Sequence, residues 1–134
     1  MTTVPVTLVS AAVAILINFW LGWRIASYRD KFKVSVGDGG HEPLLRRMRA
    51  QANFVENAPL FLIVVAGLEL SGASRLGLGV IASIFLLARI SHGIGMDGAH
   101  LQRWRMFGMI GTALPNLAIA IWAVLCAAEY CLGG

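Results

Sequence analysis

From Met1 to Trp23 this chain carries no charged side chain. A helix needs about 20 mostly apolar residues to cross the hydrocarbon core of a bilayer, so this run reads as a membrane span. A second charge-free run, Met106 to Ala128, reads the same way, and the stretch from Ala58 to Leu68 is apolar throughout. Across all 134 residues only 13% are charged and 57% are hydrophobic, whereas a soluble domain carries about 25% charged residues. The chain reads as one integral membrane domain, residues 1–134. No Lys or Arg precedes Arg24, so a signal peptide's positive n-region is missing and the first run reads as a retained helix.

Taken in order, the pattern predicts four helices, approximately 3–26, 42–70, 75–96 and 102–131. Pro5 suits the first turn of helix one, and Pro43 that of helix two. Trp20 and Trp23 fit an interfacial belt. Ser35 to Gly40 is a loop by composition, and Ser71 to Ser74 a short turn. Helix two, at roughly 28 residues, would be about 42 Å long and project beyond a ~30 Å core. Pro115 predicts a kink in helix four. Gly77 and Gly79 suit close helix packing. Glu69, at the far end of helix two, reads as solvated or snorkelling. The fold class is all-α, an up-down-up-down four-helix membrane bundle.

Of the eleven Lys and Arg residues, all but Arg75 belong to the first and third connections and their flanks. The positive-inside rule then puts both basic loops in the cytoplasm and both termini outside. The net charge of +4 is accounted for by this topology and points to no nucleic acid. Cys126 and Cys131 match neither a CxxC nor a zinc spacing and read as structural or neutral. His41, His100 and Asp97 lie on loops without metal spacing. His92 lacks a second histidine in a predicted span, which argues against haem.

The polar residues cluster where helix two enters the membrane. Arg46, Arg49, Asn53 and Glu56 fall three and four apart and share one helical face. Charges at the mouth of a membrane helix are costly unless paired or solvated, so they mark a candidate site. Arg29, Arg89, His92, Arg103 and Arg105 gather at the same end. Guanidinium forks suit carboxylates, Glu56 suits an ammonium, and Asn53 and Gln51 suit amides. An arginine beside a thiol favours the thiolate. A ligand with two carboxylates, an amine and a thiol would satisfy this set. An ion-pair network among Arg49, Asn53 and Glu56 would satisfy it too. Arg46, Arg47 and Lys33 read as topology or headgroup residues.

The segment Arg49-Ala50-Gln51-Ala52-Asn53-Phe54-Val55-Glu56-Asn57-Ala58-Pro59-Leu60-Phe61 resembles the Arg-Ala-Gln-x-Asn-x-x-Glu-x-x-Pro-Leu-Phe signature of the leukotriene-C synthase branch of the MAPEG family, the membrane-associated proteins in eicosanoid and glutathione metabolism. Arg29 to Ser35 is similar to that branch's basic segment after helix one. Ala88 to Gly93 resembles the family's helix-three exit, and Arg105-Met106-Phe107-Gly108 its Arg-x-x-Gly opening of helix four. The resemblance implies a homotrimer in a bacterial inner membrane, binding glutathione as co-substrate between neighbouring subunits near the cytoplasmic face. It implies that Arg49, Asn53 and Glu56 hold the γ-glutamyl end with Gln51 assisting, and that Arg29 meets a carboxylate from the adjacent subunit. Arg89 and His92 join this set, and Arg105, with Arg103 as competitor, stabilises the thiolate. The chain departs from the family where some members carry tyrosines on helix three: His92 and Met96 stand there, and Asn57 stands where an aromatic is common.

The expected function is a glutathione-dependent transferase or peroxidase acting on lipophilic electrophiles or lipid hydroperoxides from the bilayer. The alternative is a non-catalytic lipid- or glutathione-binding scaffold. A small multidrug exporter would need a membrane-embedded carboxylate in helix one, where this chain has only Asn18.

Overall fold

The computed structural model describes residues 3–132, and all regular structure among them is helical. The helices are α1 (Pro5–Phe32), α2 (Glu42–Leu70), α3 (Arg75–Gly95) and α4 (Gln102–Leu132), with a 3-10 turn at Ala99–Leu101 leading into α4. Each long helix is long and apolar enough to cross a membrane.

The first helix outruns its expected end near residue 26. No Gly or Pro interrupts Arg24 to Phe32, so nothing local stops it. It ends where Lys33 turns left-handed at φ 54°. There the Val34 N–H donates to the Arg29 carbonyl at 3.0 Å, closing the helix end. Between α2 and α3, Gly72 takes φ 84° and the Ser74 side chain caps α3 by accepting from the Gly77 N–H at 3.3 Å. That short turn makes α2 and α3 antiparallel neighbours.

Each helix buries one stripe at helical spacing. On α2 it is Phe54, Ala58, Phe61, Val65 and Leu68; on α3, Leu78, Ala82, Phe85, Arg89 and His92; on α4, Gly108, Thr112, Pro115 and Ile119. Phe61 and Phe85 stack at the centre with ring centroids 3.9 Å apart. Helices α2 and α3 form the middle of the bundle, each packing against both flanking helices, α1 and α4. In lipid, apolar burial alone gives helices little reason to associate, so close packing must supply it. The closest approach is between α3 and α4. A Cβ on Gly108 would sit 2.5 Å from the His92 backbone nitrogen, and one on Gly111 would sit 2.8 Å from Ala88 Cβ. Of the two glycines expected at a close contact, Gly77 lies against Trp122 of α4, where a Cβ would come within 3.1 Å of the ring, whereas a Cβ on Gly79 would meet nothing within 4 Å.

Glu69 also departs from expectation. It is buried, and its carboxylate accepts from the Val6 N–H at 3.0 Å and from the Thr7 N–H and hydroxyl at 2.8 Å each. Those are orphan donors of the first turn of α1, so a side chain of α2 caps another helix.

Candidate functional site at the arginine-rich end

The end of α1, the start of α2, the end of α3 and the start of α4 meet at one end of the bundle and bring the basic residues together. Three arrangements result.

The first is a buried polar cluster. Arg89 lies on the core stripe of α3, one turn after Phe85, and is 2% exposed. It donates to Thr112 Oγ1 at 2.9 Å and to Asn53 Oδ1 at 2.6 Å, and lies 3.3 Å from His92 Nδ1. Thr112 in turn donates to the Gly108 carbonyl at 2.7 Å. All three partners of Arg89 are neutral, and its Nε has no partner among the described residues. An arginine offers no acceptor, so His92 Nδ1 must accept here, which leaves the ring proton on Nε2. Asn57 extends the cluster: it donates to the Asn53 carbonyl at 2.8 Å and accepts from Asn116 of α4 at 3.4 Å.

The second is an ion-pair clamp. The Asp97 carboxylate, just past α3, pairs with Arg24 of α1 and with Arg47 of α2, the latter at 3.0 Å. Arg24 is buried, donates to the Gly93 carbonyl at 3.0 Å and lies over Trp20 at 4.6 Å. Arg47 lies over Tyr28 at 5.3 Å. Two cations converging on one carboxylate fix the α3–α4 connection to the other two helices. Arg47 is therefore a clamp residue and not the free topology charge it resembles in sequence. The signal was faint: Asp97 is the acid nearest the helix-three exit.

The third arrangement is a pair of grooves. One, of about 480 Å³, lies between α2 and the α3–α4 connection and is lined by Arg46, Arg49 and Arg105, with Gly95, Met96 and Gln102 among the other walls. Arg46 is ion-paired to Glu42 at 2.6 Å along the rim. The other, of about 670 Å³, lies on the α1 side of α2 and is lined by Arg29, Gln51, Lys33 and Asp30. There Arg29 donates to the Gly37 carbonyl at 3.1 Å, and Gln51 donates to Asn18 at 3.4 Å.

The expected residues thus divide. Arg49 and Arg105 share the first groove, Asn53, Arg89 and His92 share the buried cluster, and Arg29 and Gln51 share the second groove. Glu56 is exposed and lines neither groove. Arg103 is exposed too and does not line the arginine groove. The burial of Arg89 was legible in one respect: it continues the Leu78–Ala82–Phe85 stripe in register.

Two curated relatives, each called "Inner membrane protein YecN", from Escherichia coli strain K12 and from Escherichia coli O6:H1 strain CFT073, are each 28% identical over 128 residues, covering 88% of this chain and 97% of theirs. A model of the MAPEG family matches residues 7–125, a span that reaches into all four helices and includes the lining of both grooves. With that match over most of its length, the chain belongs to the MAPEG family.

Proposed function

We propose that this protein is a glutathione-dependent transferase or peroxidase of a bacterial inner membrane. It works as a homotrimer with its two basic connections in the cytoplasm and both termini outside. Glutathione lies between neighbouring copies, and its lipophilic partner arrives from the bilayer.

The observation that carries the reading is the division of the polar residues into two grooves on opposite sides of α2. A helix with its side chains is about 10–12 Å across, and an extended tripeptide is about as long. To touch both grooves of a single chain the ligand would have to bend around α2, whose body separates them. It can reach the arginine groove of one copy and the Arg29–Gln51 groove of the next. Exposed Glu56, one turn past Asn53 on the Arg49 face, then lies where a neighbouring copy would cover it and meets the ligand's ammonium. Four membrane helices and relatives named as inner membrane proteins support the location.

In the arginine groove Arg49 pairs with a carboxylate while Arg105 faces the sulfur. A guanidinium beside the thiol stabilises the thiolate, which is the nucleophile. In transfer, sulfur bonds to an electrophilic carbon and the leaving group departs with its electron pair. In peroxide reduction, sulfur takes the terminal oxygen, the O–O bond breaks and the lipid alcohol leaves. A second glutathione then reduces the sulfenic acid to disulfide and water.

The test uses purified protein in nanodiscs. Calorimetric titration with glutathione is paired with conjugation of a generic aryl halide, for wild type and Arg105→Ala. The expected result is glutathione binding by both and a fall in turnover of about 100-fold or more for the variant, the usual cost of losing a group that stabilises developing charge. No binding by wild type refutes the reading. Tight binding without turnover across a broad panel of electrophiles and hydroperoxides favours the non-catalytic scaffold. One observation points that way: His92, where by resemblance some family enzymes carry a tyrosine, is buried and turned toward Arg89.

A further inference from the structure

We infer that Arg89, 2% exposed and lining neither groove, is a positioning residue in place of the direct glutathione contact the resemblance implies: it makes the Asn53 amide a donor only and so commits this part of the site to a carboxylate. The inference rests on the glutathione reading above.

A side-chain amide has an acceptor end and a donor end, and an isolated Asn can present either. Asn53 cannot. Its oxygen lies 2.6 Å from Arg89 Nη2. An arginine has five N–H donors and no acceptor, so the opposite orientation would set two donors against each other. The guanidinium itself cannot turn away. Its Nη1 is held by Thr112 Oγ1 at 2.9 Å, and that hydroxyl has committed its own proton to the Gly108 carbonyl at 2.7 Å. The chain Asn53, Arg89, Thr112, Gly108 therefore has one possible assignment of donors, with Arg89 donating to both of its neighbours. It crosses from α2 through α3 to α4, anchored where Gly108 lets the last two helices touch.

Two consequences follow. First, the half-buried Asn53 amide keeps its N–H₂ end for a ligand, on the same helical face as Arg49 one turn earlier. Donors beside a guanidinium suit a carboxylate and repel an ammonium. The amine of the ligand must then be met elsewhere, and Glu56 is the acid on that face. Second, Arg89 is a buried cation whose partners among the described residues are all neutral. Its charge polarises the amide it holds and strengthens the donors at the far end.

The consequences have opposite signs in one variant, which makes the test sharp. Asn53→Asp gives Arg89 a counter-ion, so the thermal unfolding midpoint should stay at or above that of wild type. The same change replaces donors by a second acceptor and a negative charge. Glutathione binding should weaken by roughly 10- to 100-fold, the worth of a hydrogen bond to a charged group. A purely structural role for Asn53 would move both quantities together. A second pair covers the case in which Asn53→Asp does not fold. Arg89→Lys keeps a donor to the amide and should bind glutathione within about threefold of wild type, while Arg89→Gln, free to flip with Asn53, should lose about tenfold or more. Folded Asn53→Asp that binds as tightly as wild type overturns the inference, as does folded Arg89→Gln that binds like wild type. In both cases the proposed function stands, because wild type binds. Wild type that binds no glutathione overturns both.

Discussion

Glu69→Ala should lower the stability of the protein sharply while leaving the ligand end untouched. Pro5 opens α1 and has no N–H, so the next donors of that turn are those of Val6, Thr7 and Leu8. Leu8 is satisfied within its own chain segment by the Val4 carbonyl at 3.0 Å. Val6 and Thr7 depend on the Glu69 carboxylate, which also takes the Thr7 hydroxyl. Losing an N-cap costs about 1 kcal/mol, up to about 2, and losing a negative charge at a helix N-terminus a further ~0.3–1 kcal/mol. The hydroxyl bond to a charged acceptor adds about 1.5 kcal/mol. Thr3 nearby is exposed, so water reaches this end and replaces part of what is lost. The net estimate is about 2–3 kcal/mol for alanine and about 1 kcal/mol for Glu69→Gln, whose amide oxygen keeps one acceptor. With an unfolding entropy of about 2.1 cal/mol/K per residue over 134 residues, this corresponds to a midpoint lowered by about 7–11 °C for alanine. Circular dichroism at 222 nm during heating in detergent micelles measures it, with glutathione calorimetry on the folded protein as the control. A Glu69→Ala midpoint within about 2 °C of wild type, equivalent to about half a kcal/mol, would refute the capping argument.

Two other substitutions follow from the packing and the clamp. Gly108→Ala forces a methyl to within 2.5 Å of His92 and should cost about 3 kcal/mol or more in the same melt; Gly79→Ala, in open space, should be neutral or stabilising by up to ~1 kcal/mol. Asp97→Asn leaves Arg24 and Arg47 without their shared counter-ion. Arg24 is nearly buried but Asp97 is a third exposed, so the cost falls between surface and buried pairs, about 2 kcal/mol. Glutathione affinity should fall with it, because the connection that Asp97 holds is a wall of the arginine groove, and Asp97→Glu should restore both.

The order of the helices and, apart from the end of α1, their approximate ends were legible in the sequence, because a span is a local property: about twenty apolar residues without charge can satisfy their backbone in lipid only by bonding within the segment. The family was legible too, in the Arg49 to Phe61 signature, and so was the gathering of basic residues at one end. What the sequence could not give was which polar groups face one another. Glu69 reads as a solvated acid at a helix end, and only the packing of α2 beside the first turn of α1 turns it into a cap. Arg47 reads as a topology charge until the α3 exit brings Asp97 to it. Asn53 reads as an amide of either polarity until Arg89, carried in on another helix, fixes its direction. Spans follow from the energy of single segments in a bilayer; partners follow from rotation and register between segments, and those are decided only when four helices pack together.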